Sequence, residues 1–103
     1  MEEGLKVVAH YIALIHKQAD SCYGVSFPDV PGVVTAGDTI DEAMQKACEV
    51  LAFAAEDWSE HTGGDFPKAR TIDELRGDLE FQEAVGSAVV AAVPFRVSAE
   101  AAE

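Results

Sequence analysis

Several groups of residues in this chain have the types and spacing to do chemistry, and elementary rules dispose of most of them. Gly32-Val33-Val34-Thr35-Ala36-Gly37-Asp38-Thr39 sets two glycines five apart and closes on Thr, the spacing of a phosphate-binding loop. The Lys that would meet the phosphates is missing, and Asp38 stands in its place, where a carboxylate repels the anion. The segment also reads as a strand, so nucleotide binding is set aside. Three histidines raise the question of a metal. His10 and His16 share a strand face but are separated by about 20 Å at strand rise, too far to chelate one ion. His61 falls at a helix end, where a cation suits the dipole. Ser21, Ser26, Cys22 and Cys48 have no nearby His to act as base and no nucleophile elbow around them. Asp29 and Asp38 flank a short strand, and two carboxylates can hold Mg²⁺. A turn and a helix cap are their ordinary roles. A remnant metal-dependent nuclease using that pair therefore stays only as the enzymatic alternative. The chain is otherwise read as a non-enzyme with no cofactor and no metal.

Charge is more informative. The chain of 103 residues carries nineteen acids against seven bases, a net −12. Its bases (Lys6, Lys17, Lys46, Lys68, Arg70, Arg76, Arg96) are scattered, so no basic patch exists to displace counterions from a nucleic acid. Direct nucleic-acid binding by this chain alone is not expected. The same charge would speed encounter with a basic protein. Solubility alone is the plainer reading, and charge by itself does not choose between them. No apolar run is long enough to span a membrane. The start, Met1-Glu2-Glu3-Gly4, lacks the basic-then-apolar pattern of a secretion signal, so the expected location is cytoplasmic. In that compartment Cys22 and Cys48, 26 residues apart, are expected to be small buried hydrophobes.

One domain is expected, 1–103, with a core of 6–97 and a tail of 98–103. Lys6 to Lys17 is dense in Val, Ile, Leu and Tyr and predicts a long strand. Val7, Ala9, Tyr11, Ala13 and Ile15 would line one face, and Val8, His10, Ile12, Leu14 and His16 the other. Both faces are largely apolar, which predicts a central strand covered on each side. Gln18 to Ser21 is turn-like, and Cys22 to Phe27 completes a hairpin. Pro28-Asp29-Val30-Pro31-Gly32 then forces a rigid bend before a short strand, Val33 to Ala36.

Thr39-Ile40-Asp41-Glu42 has the form of a capping box. Apolar residues follow at Ile40, Ala43, Met44, Ala47, Cys48, Leu51, Ala54, Ala55 and Trp58, one helical stripe that Gly63-Gly64 ends. Val50 and Phe53 lie off that stripe, to be covered by the chain's own tail or by a partner. Thr71-Ile72-Asp73-Glu74 repeats the cap pattern and opens a short helix reaching about Arg76, resuming through Glu83. Ser87 to Val97 reads as a fourth strand, with Pro94 marking an edge or a strand end. The order βββα(α)β predicts an α+β two-layer sandwich. One helix layer covers only one face of the first strand, so a homo-oligomer is expected.

The stretch Tyr23-Gly24-Val25-Ser26-Phe27-Pro28-Asp29-Val30-Pro31-Gly32, then Thr35-Ala36-Gly37-Asp38-Thr39 and Asp41-Glu42-Ala43, resembles the N-terminal domain of the HicB antitoxins. The family pattern is a Tyr-containing strand, a Phe-Pro-Asp-x-Pro-Gly bend, a Thr-x-Gly-Asp-Thr turn and a Glu-Ala helix opening. All are present in order, over about residues 6 to 60. The resemblance implies a partly degraded ribonuclease H-like fold and a place in type II toxin–antitoxin pairs. It implies as partner a HicA-like toxin, a small basic mRNA interferase whose catalytic histidine the antitoxin blocks. Tyr23, Phe27, Pro28, Asp29, Pro31, Gly32, Gly37 and Asp38 are the residues it singles out. They are expected to fix the fold more than to touch the partner. Many relatives continue into a DNA-binding domain. This chain closes at Glu103, six residues after its last strand, so operator binding is not carried over. A short antitoxin, a solitary oligomeric relative without a toxin and a truncated form all fit that ending.

Overall fold

A computed structural model describes residues 5–17 and 22–98. The elements run β1 (Leu5–Lys17), β2 (Tyr23–Ser26), β3 (Val34–Gly37), α1 (Ile40–Thr62), α2 (Ile72–Arg76), α3 (Leu79–Val85) and β4 (Val89–Ser98). The expected order is therefore observed. Gln18 to Ser21 lie outside the described residues, as does the tail from Ala99.

The four strands form one antiparallel sheet in the order β3-β2-β1-β4. Its long partners are β1 and β4, in register from Leu5 against Ser98 to Ile15 against Val89. Pro94, which cannot donate to a ladder, sits on an edge strand as its chemistry requires. A bulge interrupts β1: Val7 faces Arg96 and Ala9 faces Phe95, leaving Val8 as the extra residue. The bulge breaks the expected alternation and turns Val7 to the face of its partner Arg96, away from Ala9 and Tyr11.

Helix α1 covers one face. Tyr11, Ala13 and Ile15 from β1, Val25 from β2, Val93 from β4 and Ala43, Ala47 and Leu51 from α1 are all buried together. These helix positions recur at the helical period found in the sequence. Phe27 and Val30 close that core from the bend, Val30 without exposed surface. Cys22 and Cys48 are half-buried, less enclosed than expected. Val50 packs at the margin of the core, whereas Phe53 is 65% exposed, so the two off-stripe residues part company.

The other face corrects the two-layer expectation. Leu75 of α2 and Phe81 of α3 pack on Leu14, which points away from α1, and Ile12 borders them. The α2–α3 pair thus adds a partial third layer over one end of the sheet. Elsewhere on this face Val90 is 41% exposed, and His10 and Ala92 are also open to solvent.

The two expected caps differ in detail. Thr71 makes a full capping box with Glu74, the Glu74 carboxylate accepting from the Thr71 backbone N–H. Thr39 Oγ1 accepts from Glu42 N at 3.0 Å, but the Glu42 carboxylate accepts from Asp38 N at 2.7 Å, one residue before the cap. Asp38 therefore serves the start of α1 through its main chain. Among the described residues no helix is long and apolar enough to cross a membrane.

Candidate functional site

The motif residues fold into two groups at opposite ends of the β2–β3 hairpin. At one end Tyr23 is the cross-strand partner of Gly37, and Asp38 follows directly. Tyr23 is half-buried against the core, with the Lys17 ammonium 5.2 Å from its ring centroid. Gly37 is needed for closeness: a Cβ there would lie 2.6 Å from the Ala43 main-chain nitrogen and 2.9 Å from its Cα. No side chain fits where the first turn of α1 rests on β3.

At the other end the bend from Phe27 to Val33 is held by Val30 N donating to Phe27 O and Val33 N to Val30 O. Gly32 takes φ +91°, a conformation closed to most side chains, though a Cβ would meet open space. Phe27 and Val30 point inward. Pro28 and Pro31 line an open cleft of about 250 Å³ with Leu14, Arg70 and Phe81. A second cleft, about 510 Å³, lies on the other flank of Phe81 between Ile72, Arg76, Val85 and Val90.

Asp29 is the polar centre of the bend. Its side chain is only 5% exposed, and it accepts from Arg70 N at 2.7 Å and from Arg70 Nε at 2.6 Å. Arg70 Nη1 also donates to Asp78 Oδ2 at 2.9 Å, and Asp78 caps α3 by accepting from Glu80 N. One guanidinium thus joins the bend to the start of the α2–α3 layer. Those two carboxylates hold the Arg70 charge more firmly than usual, and Arg70 holds the Asp78 carboxyl below its ordinary range. Beside them Tyr11 donates to the Pro67 carbonyl at 2.5 Å. Burial, with the Asp29 charge second, pushes the phenol pKa up and keeps it a donor.

This geometry bears on the chemistry weighed from sequence. Asp29 and Asp38 stand before and after β3, with about 10 Å of strand between its ends. A guanidinium already answers the Asp29 charge. No group of three His, Cys, Asp or Glu is placed to hold a metal among the described residues. His10 and His16 sit on β1 opposite Pro94 and Gly24. Ser21 and the His61 side chain lie outside the described residues. The loop-like Gly32 to Thr39 segment contains β3, hydrogen-bonded to β2. Sequence reasoning missed Arg70, counted there only as a scattered base. Its position just before the Thr71 cap was the available signal.

The chain matches the family model of the HicB-like antitoxin of bacterial toxin–antitoxin systems over residues 11–101. It belongs to that family. The match takes in the bend, α1, the α2–α3 layer and β4. The chain is 33% identical to the N-terminal domain of the Burkholderia pseudomallei antitoxin HicB, with a TM-score of 0.63, covering 82% of this chain and 94% of that domain. Against the longer structure of the same antitoxin it is 31% identical with a TM-score of 0.64, covering 84% of this chain and 62% of that one. A chain of a HicA3–HicB3 toxin–antitoxin complex shares the fold at 23% identity, with a TM-score of 0.61, covering 81% of this chain and 93% of that one. An uncharacterised 14.9 kDa protein of Haemophilus phage HP1, from its rep–hol intergenic region, is 37% identical over 79 residues, 77% of this chain and 58% of the phage protein. The chain therefore spans about three-fifths of the phage protein and of the longer HicB structure.

Proposed function

We propose that this chain neutralises a small basic HicA-like mRNA interferase by binding over its active site. The observation that carries the reading is membership of the antitoxin family across residues 11–101. Physical chemistry supplies the mechanism. A ribonuclease that grips mRNA presents cations to phosphates, and a protein of net −12 meets that surface as a competing polyanion. The acids are concentrated in the helices and loops and not in the two long strands. Helix α1 alone carries Asp41, Glu42, Glu49, Glu56, Asp57 and Glu60, whereas β1 and β4 carry none. The recognition surface on this reading is acidic and helical, and the motif residues act behind it by holding the bend and the start of α1.

The sheet with α1 on its face is read as a reduced ribonuclease H-like unit, and the neutralisation is placed in the cytoplasm, where an mRNA interferase acts. A homo-oligomer belongs to the proposal, because apolar residues of β1 and β4 stand exposed on the sheet. The test is direct. Purified chain is titrated into a ribonuclease assay of a small basic HicA-like protein, taken from an adjacent reading frame where one encodes it. Cleavage falling to background near one equivalent is expected, and full activity in excess chain overturns the proposal.

A further inference from the structure

Helix α1 turns Ala43, Ala47 and Leu51 to the core, all without exposed surface. On the side turned away, Glu49, Phe53, Glu56 and Glu60 follow at intervals of four, three and four, which sets them in one stripe. All four are exposed. Phe27, Phe66, Phe81 and Phe95 are spent in the two cores, and Phe53 is the one exposed aromatic ring among the described residues. The single Lys or Arg of α1, Lys46, lies about two turns before Phe53 and pairs with Glu42 at 3.7 Å. A lone exposed apolar residue is ordinary. A ring framed by charge is different, because apolar contact at the centre and polar groups at the rim are the layout of an interface.

Charge selects the occupant. A second copy would bring the same carboxylates to the stripe and be repelled by it. Residues 1–4, 18–21 and 99–103 contribute Glu2, Glu3, Asp20, Glu100 and Glu103 and no Lys or Arg, so they match the stripe no better. Nucleic acid and anionic lipid carry the same sign. A cationic protein surface is what remains. We propose that Phe53 anchors α1 on a basic protein, its ring entering an apolar hollow edged by Lys or Arg that meet Glu49, Glu56 and Glu60. The inference rests on the toxin-binding reading and names the anchor of that contact. Ring and rim divide the kinetics between them. The carboxylates act at a distance and set how fast the partners meet, whereas the buried ring sets how slowly they part.

The experiment follows association and dissociation of the full chain, Phe53→Ala and Leu79→Ala against the small basic HicA-like protein of the ribonuclease assay. Leu79 on α3 is 71% exposed and off the stripe, so it controls for the loss of an exposed apolar side chain anywhere. Urea midpoints verify folding, and sedimentation velocity reports self-association. Phe53→Ala is expected to raise the dissociation rate by about tenfold or more and to leave the association rate within about twofold. Leu79→Ala is expected to leave both rates at parental values. Parental dissociation from Phe53→Ala overturns the anchor and leaves the toxin-binding reading standing. An equal rise in both variants also overturns it, since the contact is then not sited at the ring. Self-association of the parent chain that Phe53→Ala abolishes gives the ring to a second copy and overturns the assignment. A parent chain that does not bind the basic protein overturns the reading and the anchor together.

Discussion

Asp29 and Arg70, 41 residues apart, meet through two hydrogen bonds that use both carboxylate oxygens, one on the Arg70 main-chain N–H and one on its guanidinium. The carboxylate is almost fully enclosed while the guanidinium remains partly open to solvent. Asp29 thus serves as the joint between the Phe-Pro-Asp bend and the segment that launches α2.

Replacing Asp29 with Ala leaves the Arg70 N–H and guanidinium without their acceptor. A loss of about 1.5–3 kcal/mol is expected, in the range of hydrogen bonds to a charged group. Urea unfolding measures it. The same variant separates the structural role from the metal one. If Asp29 held Mg²⁺, the ion would stabilise the parent chain and not the variant, and no such difference is expected.

Gly37 and Gly32 are both motif glycines, needed for different reasons. Gly37→Ala drives a methyl against the main chain of Ala43, which cannot move without shifting α1, and about 1–3 kcal/mol of overpacking is expected. Gly32→Ala meets open space and bears only the left-handed backbone, about 1–2 kcal/mol. The distinguishing measurement is the near-ultraviolet signal of Trp58, near the far end of α1. It is expected to change in the first variant and not in the second.

Acid sensitivity follows from Asp78. Arg70, and then the Glu80 N–H, hold its carboxyl below the ordinary value. A group whose pKa is lower in the folded state stabilises above its unfolded value and loses that contribution as pH falls through the folded one. Unfolding of the parent chain followed as pH falls through and below the ordinary carboxylate range, compared with Asp78→Asn, should show a steeper decline for the parent. Parallel curves would remove Asp78 from the joint.

Toxin association should depend on ionic strength. Steering by a net −12 chain acts through long-range attraction that salt screens, so the association rate is expected to fall by about tenfold or more from low to high salt. Charge reversal at Glu49, Glu56 and Glu60 on α1, all exposed, should lower the low-salt rate and flatten the salt dependence. Stopped-flow measurement at several salt concentrations checks both.

The parts of this molecule that were legible in its sequence are those governed by near neighbours. The α1 stripe, the Thr71 cap, the hairpin and Pro94 on an edge each follow from residues a few positions apart. What sequence could not supply depends on distant segments meeting. Val8 gives no local sign of a bulge, because the bulge is set by β4. Gly37 marks a close approach whose other side is Ala43 on the next element. Arg70 resembles any exposed base until the bend places Asp29 against it. The partial third layer escaped for the same reason: Leu14 reads as buried, but only tertiary packing reveals that α2 and α3 do the burying. The candidate site followed the same divide. Family motif residues were found in the sequence, whereas the joint they form required Arg70 and Asp78.

The central claim is that this chain silences a toxin by binding it. The measurement that tests it most directly is co-expression with a small basic HicA-like protein from an adjacent reading frame, where one encodes it, scored for growth and for co-purification. Growth arrest by the basic protein alone, relief by this chain and recovery of the two as one complex is the expected result. Continued arrest with both proteins soluble and separate would contradict the claim.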